Sequence, residues 1–298
     1  MLARTKRIRL IGAASGLGAQ DRACEDGPVA FHRSQAWQEI SHHPALDWGR
    51  TLFAPDASQA AHTARIAALC RDLADEVGQS LRADEFPVVI GGDHSIAIGT
   101  WSGLARELGQ ACGLLWIDAH LDSHTPASSY SGAIHGMPLA CLLGQGDKRL
   151  LGLGLPGVQV SARHTAVLGP RSYEPEEINF LERMGVRIFS ADEIAARGFA
   201  TCLDEALRIV ASASAGFGVT LDLDALDPVW APGVGSPEPE GLGSADVLAA
   251  LARIAPLPGW HALEIVEYNP DRDRYGLTAR LIADMILQLL PSGAAKRD

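Results

Sequence analysis

The chain of 298 residues predicts an α/β fold, a single-domain three-layer α/β/α sandwich around a central, mostly parallel sheet, with that one domain spanning residues 1–298. Two observations predict it. Short apolar runs of strand length recur along the chain, and they alternate with segments whose apolar residues fall three and four positions apart. Runs that are apolar at every position suit strands buried on both faces, as in a parallel sheet covered by helices.

The runs lie at residues 8–11, 87–90, 113–117, 186–189, 216–221 and 262–266, the first of them extending to 7–13 as a buried opening strand. Between them, Ile66, Leu69, Leu73 and Val77 form one helical stripe, and Trp101, Leu104 and Leu108 a second. Leu203, Ala206, Leu207 and Val210 make a third, and residues 277–290 a fourth. No internal repeat, low-complexity tract or long linker divides the chain. The Ser- and Ala-rich stretch 211–216 reads as a connector from helix to strand, and the tail 292–298 as frayed.

Composition narrows the function. With 47% hydrophobic and 20% charged residues the chain can bury one large core or two small ones, and one α/β domain is the simplest reading. Its formal charge of −11 argues against a general nucleic-acid binder, which needs a basic face to displace counterions from phosphate, and suits a small cationic substrate. Cys24, Cys70, Cys112, Cys141 and Cys202 are odd in number and show no CxxC spacing, which fits a reducing cytoplasm rather than a disulfide framework. Arg4, Lys6, Arg7 and Arg9 imitate the charged start of a signal peptide, but Arg9 interrupts the apolar stretch and Gly12 follows too soon. No apolar run approaches the roughly 20 residues of a membrane span, so a soluble protein is expected.

Four of the predicted strands end in polar or acidic residues. These are Gly91-Gly92-Asp93-His94, Asp118-Ala119-His120-Leu121-Asp122, Asp222-Leu223-Asp224 and Glu264-Ile265-Val266-Glu267. In an open parallel sheet the carboxyl ends of the strands share one edge, so the four clusters should converge. Asp118, Asp122, Asp222 and Asp224 brought together either shift their pKa values upward or demand cations. Two divalent metals would neutralise them, with His94 and His120 as nitrogen ligands. Two imidazoles and four carboxylates without a thiolate form a hard donor set, which favours manganese or magnesium over structural zinc. Two such ions bridged by shared carboxylates would hold a hydroxide, because coordination lowers the pKa of water towards neutrality. Each piece also has a plain reading as a solvated loop, a turn, or a cap made by Asp93 or Ser95. Three such pieces at successive strand ends favour the metal reading.

The order Gly91-Gly92-Asp93-His94-Ser95, Asp118-Ala119-His120-x-Asp122, Ser131-Gly132-x-x-His135-Gly136, Asp222-x-Asp224-x-x-Asp227-Pro228 and Glu267-x-Asn269-Pro270 resembles the ureohydrolase superfamily. Residues 12–28 resemble its first strand and loop. The resemblance implies two Mn(II) ions, one taking His94, Asp118, Asp122 and Asp222, the other His120, Asp118, Asp222 and Asp224. It also implies a guanidino substrate, cleaved to release urea. The loop between Asp122 and His135, with Thr125-Pro126, Ser129 and Ser131, looks like that of arginases rather than the shorter loop of agmatinases, which makes L-arginine the expected substrate.

By the same resemblance Ser129 and Ser131 bind the amino-acid end of the substrate, Glu267 holds the guanidinium, Asp122 relays a proton to the departing amine, and His135 shuttles protons to bulk water. Two departures stand out. His124 occupies a position where an asparagine usually contacts the substrate carboxylate, and Ser172 with Glu174 replaces part of an Asp-x-Asp pattern after Arg171. His124 can still donate to a carboxylate, or can instead make a structural hydrogen bond; Glu174 can still accept from an α-ammonium, and Glu177 helps anchor that amine. Relatives are commonly trimers or hexamers, so a homo-oligomer is expected.

The sequence is compatible with two alternatives. One is hydrolysis of hydroxyarginine, agmatine or a guanidino acid; another is a metal-dependent deacetylase of related fold. The match of residues 152–157 to GxGxxG does not open a helix, so it reads as a loop rather than a dinucleotide site. Trp101, Trp116 and Trp230 read as core or rim packing.

Overall fold

The computed structural model of the chain describes residues 6–56 and 61–290, so the tail at 292–298 and Arg4 lie outside the described residues. In chain order its elements begin with β1 (Ile8–Ala14), α1 (Gly27–Arg33), α2 (Gln35–Ile40), β2 (Leu46–Phe53), α3 (His62–Arg82), β3 (Phe86–Gly91) and α4 (Ala97–Leu108). There follow β4 (Cys112–Ile117), α5 (Pro138–Leu142), β5 (Val160–Leu168), α6 (Pro175–Met184), β6 (Arg187–Phe189), α7 (Ala191–Arg197) and α8 (Phe199–Val210). The last four are β7 (Phe217–Asp222), α9 (Ser244–Ile254), β8 (Trp260–Val266) and α10 (Leu277–Leu287).

The strands form one sheet of eight, ordered β2-β1-β3-β8-β7-β4-β5-β6, and every pair in it is parallel. Successive side chains point to opposite faces, and both faces are covered. Leu115 and Ile117 of β4 join Val219 and Leu221 of β7 against α8, α9 and α10, whereas Leu114 and Trp116 of β4 meet α4 and α5. Val89 of β3 packs with Leu69, Leu73 and Val77 of α3. This is the three-layer sandwich the sequence predicts.

All six expected strands are present, and two more escaped the pattern. β2 is an edge strand with Asp47 and Arg50 in its middle, so only Leu46 and Leu52 are buried. β5 opens with Ser161, Arg163 and His164, and its register against β4 shifts before Leu114 pairs with Thr165. The four helical stripes lie in α3, α4, α8 and α10; residues 211–216 connect α8 to β7, and 152–157 form an irregular loop. Trp101 and Trp116 are fully buried, and Trp230 is half-exposed at the surface.

Register is what assembles the site. Ile90 pairs with Ile265, Ile265 with Leu221, and Leu221 with Ile117, so the four central strands β3, β8, β7 and β4 end level with one another. The residues that follow this row emerge together at the carboxyl edge. No described helix is long and apolar enough to cross a membrane.

Candidate active site

Past β3 the chain turns sharply: a Cβ on Gly92 would lie 2.0 Å from Ser15 O, so only glycine fits there. Asp93 then caps the short 3-10 turn His94–Ile96, accepting from Ser95 N at 3.0 Å, and its second oxygen accepts from Ser15 Oγ and Gly18 N, each at 3.0 Å. The expected cap is therefore real. It aims His94 inward while tying down the loop after β1. Asp222, the last residue of β7, accepts from Asp224 N at 2.8 Å and turns the chain so that both carboxylates face the same space. Asp118 follows β4 directly and is fully buried.

His94 Nδ1 lies 3.2, 3.0 and 3.0 Å from carboxylate oxygens of Asp118, Asp122 and Asp222, yet makes a hydrogen bond with none of them. Its other nitrogen is engaged. Nε2 contacts Thr220 Oγ1 at 3.0 Å, and that hydroxyl donates to Glu264 Oε1 at 2.7 Å, so the ring gives its Nε2–H away and keeps Nδ1 for the carboxylates. Trp116 stacks on the ring at 4.3 Å and donates its indole N–H to Asp118 Oδ2 at 2.8 Å. His120 Nδ1 lies 3.4 Å from Asp118 Oδ1 and 3.3 Å from Asp224 Oδ2. Two groups with ligand atoms within 4.8 Å of one another, His94–Asp118–Asp222 and Asp118–His120–Asp224, thus share Asp118.

Electrostatics sharpen the picture. Burial, with the neighbouring Asp118, pushes Asp122 up to about 6, and burial with Asp224 and Asp118 pushes Asp222 well above the carboxylate range. Burial opposes a charge on His94, but its three carboxylate neighbours outweigh it and hold the imidazole well above its usual value. Buried, mutually repelling carboxylates that draw a proton onto the imidazole nitrogen between them fit divalent cations, which would displace that proton, accept the lone pair and relieve the repulsion.

Beside this cluster a cleft of about 300 Å³ is lined by residues that include His120, Asp122, His124, Ser129, Tyr130, Ser131, His135, Ser172, Glu174, Glu177, Ser236 and Glu267. Glu267 follows β8 and is buried, with Oε1 accepting from His94 N at 2.8 Å and from His135 Nδ1 at 3.1 Å. Burial opposes charge on His135, but Glu267 lifts it to about 9. Ser129 and Ser131 accept from Gly132 N and Ala133 N at 3.0 and 3.1 Å, which leaves both hydroxyl protons free to donate into the cleft.

The far wall is more committed than its residue types imply. His124 contacts Ser128 Oγ at 3.1 Å with one nitrogen and Glu174 Oε2 at 2.9 Å with the other. Glu177 accepts from Ser123 N at 3.0 Å and from Glu174 N at 3.1 Å, the latter closing the capping box of α6. Burial pushes it up to about 7. Of the three, only the Glu174 side chain is substantially exposed to the cleft.

All of the sequence-predicted site residues therefore gather at one edge. Tyr130, Ser236, Thr220 and Cys24 were not foreseen. Lone hydroxyls and a thiol in loops or apolar strands carry no spacing signal, and only the register shows what they touch. A larger groove of about 750 Å³ lined by Pro228, Val229, Arg272 and Tyr275 has no imidazole or thiol among its described lining residues.

Fold and site together define an α/β protein with a His–Asp cluster suited to divalent cations at the carboxyl edge of its sheet. The chain belongs to the Arginase family, a family of metal-dependent hydrolases, whose profile matches residues 6–291. It is 33% identical over 293 residues to the arginase of Brevibacillus brevis, covering 93% of this chain and 95% of that one. The crystal structure of arginase from Bacillus subtilis superposes with a TM-score of 0.86 at 30% identity, covering 98% of this chain and 99% of that one. That of Entamoeba histolytica arginase in complex with L-ornithine gives 0.86 at 25% identity, covering 96% and 99%.

Proposed function

We propose that the chain is a binuclear manganese amidinohydrolase that converts L-arginine and water to L-ornithine and urea. The observation that carries this reading is His94 Nδ1, faced by three carboxylates without a hydrogen bond, beside a second imidazole–carboxylate group that shares Asp118. His94, Asp118, Asp122 and Asp222 would hold one ion, and His120, Asp118, Asp222 and Asp224 the other. The hard donor set favours manganese. Cations bound there make water acidic near neutral pH and offset the charge of the carboxylates.

The chain's own residues do the rest. A guanidinium carbon is a poor electrophile, so geometry matters: Glu267 holds the cation by a charge-assisted contact and presents its carbon to the attacking water. Asp122 accepts a hydrogen bond from that water and passes a proton to the departing amine. His135 is a quarter exposed and bonded to Glu267, so it reaches both the site and solvent and exchanges protons between them. Ser129 and Ser131 donate to the substrate carboxylate. Glu174 accepts from the α-ammonium, oriented by His124 and by the capping box with Glu177.

The engagement of both His124 nitrogens within the protein favours, as second reading, a related guanidino substrate such as hydroxyarginine, agmatine or a guanidino acid. Family membership favours either over the deacetylase alternative. The test is urea release by manganese-loaded protein from arginine, agmatine and guanidino acids in parallel. Arginine should lead; preference for another compound, or hydroxyurea released from hydroxyarginine in the same preparation, selects the second reading, and neither urea nor hydroxyurea from any of them overturns both. One domain over residues 1–298, a cytoplasmic location and a homo-oligomer, trimer or hexamer, complete the proposal.

A further inference from the structure

We propose that Cys24 is a positioning residue for Glu267, and that its thiol sets the orientation in which that carboxylate meets a guanidinium; the inference rests on the reading of Glu267 just given. Cys24 lies in the 3-10 turn Ala23–Asp26, fully buried, and donates from Sγ to Glu267 Oε2 at 3.2 Å. The two oxygens of Glu267 are treated differently. Oε1 accepts from His94 N at 2.8 Å and His135 Nδ1 at 3.1 Å, whereas among the described residues the thiol is the hydrogen-bond partner of Oε2. Without it the carboxylate would be pinned along one side only, free to swing about the Oε1 contacts.

The surroundings are built to admit this pair. A Cβ at Gly235 would stand 3.2 Å from Glu267 Oε2 and 3.3 Å from Cys24 Sγ, so the glycine leaves room for thiol and carboxylate together. Glu267 itself has φ 64°, in the left-handed region, a backbone an L-residue holds only when its neighbours impose it. A thiol is also a weak donor. It orients Oε2 while drawing little of the negative charge that a guanidinium needs. Burial, reinforced by Glu267, raises the Cys24 pKa far beyond the ordinary thiol range, so the group stays a donor.

Three variants and two readouts test this. Cys24→Ala and Cys24→Val remove the donor, the second without emptying the space, and Cys24→Ser restores a donor. In manganese-loaded protein both donor-less variants should raise KM for L-arginine about three- to tenfold with kcat little changed, the signature of a weakened hold on the guanidinium. Cys24→Ser should recover most of the loss, and thermal midpoint and manganese content should stay at wild-type values. Unchanged KM, or a serine variant as impaired as alanine, overturns the proposal, as does a loss that tracks a lowered midpoint in all three.

The second readout is the infrared S–H stretch, assigned to Cys24 as the band absent from Cys24→Ala. It should lie below the bands of Cys70 and Cys112, whose Sγ contacts are longer at 3.7 and 3.8 Å, and should move up in Glu267→Gln. A band indifferent to Glu267→Gln overturns the pairing. This measurement needs no turnover, so a wild-type protein that releases no urea would defeat the functional reading while leaving the thiol–carboxylate contact to be judged by the spectrum.

Discussion

Two side chains proposed to handle the substrate and its protons sit on strained backbone: Asp122 has φ 47° and Glu267 φ 64°. Such conformations cost on the order of 1–3 kcal/mol for a residue with a side chain, and they persist where neighbours impose them. The Asp122 backbone is held by Leu139 N, which donates to its carbonyl at 2.9 Å, and the Glu267 N–H donates to Gly92 O at 2.8 Å. Asp122→Asn keeps the shape but not the charge, so it should bind manganese more weakly and lose about 10²- to 10⁴-fold in turnover with its circular dichroism unchanged. Near-normal turnover would remove Asp122 from the mechanism. His135→Ala should slow urea release yet retain its metal after dialysis; metal loss in that variant would mean that His135 has been misread. At this scale the clustered imidazoles and carboxylates stood out because such groups recur at successive strand ends, although each taken singly also reads as a loop, a turn or a cap. Their partners were not. Nothing in the sequence couples His124 to Glu174, or Thr220 to His94 and Glu264; those pairs exist only once strands are in register.

Among the elements, the strands with continuous apolar runs announced themselves, whereas the edge strand β2 and β5, which carries Ser161, Arg163 and His164 in its first half, did not. A strand buried on both faces is apolar almost throughout, as β4 is from Cys112 to Ile117, whereas β2 needs only Leu46 and Leu52 to face inward and spends the rest on Asp47, Arg50 and Thr51. The short helices α1, α2, α5 and α7 hold too few turns for a stripe to emerge. Close packing of α4 on the sheet gives a sharp test. A Cβ on Gly218 of β7 would fall 1.9 Å from the Trp101 ring, so Gly218→Ala should lower stability by about 1–3 kcal/mol or more, read as a fall in urea midpoint at constant slope. A wild-type midpoint would mean that α4 is not seated as described.

At the other end of the sheet, Glu193 of α7 accepts from Arg187 of β6 and Arg197, and Arg197 also bonds Glu205 of α8. Hydrogen bonding to Arg187, against a smaller effect of burial, lowers the Glu193 pKa. A lowered carboxylate pKa stabilises the fold above the unfolded value, and that contribution fades as pH falls through the folded one. Wild type should therefore lose up to about 1 kcal/mol more than Glu193→Gln between pH 5 and 3, the scale of partly exposed pairs. Parallel pH profiles for the two proteins would show that the network contributes nothing.

For the whole molecule, the carboxyl edge of the sheet concentrates the acid while the core beneath it is apolar. The described cysteines are all free and buried, so no covalent staple offsets the repulsion among Asp118, Asp122, Asp222 and Asp224. Bound cations would offset it. Ligands that bind only the folded state stabilise it by about 1.4 kcal/mol for each tenfold rise in free concentration above Kd. The thermal midpoint should climb with added Mn²⁺ and fall with a chelator. The general architecture was legible from alternating strand and helix patterns, and the convergence of the site from the rule that ligands gather at the carboxyl edge. The strand order was not, because a crossover that places β8 and β7 between β3 and β4 leaves no trace in local composition. The most direct measurement is anomalous diffraction at the manganese absorption edge from crystals grown with Mn²⁺. Two peaks should appear, one against His94 and one against His120, with Asp118 between them. An edge with no peak at these residues, or manganese bound elsewhere on the chain, would contradict the account.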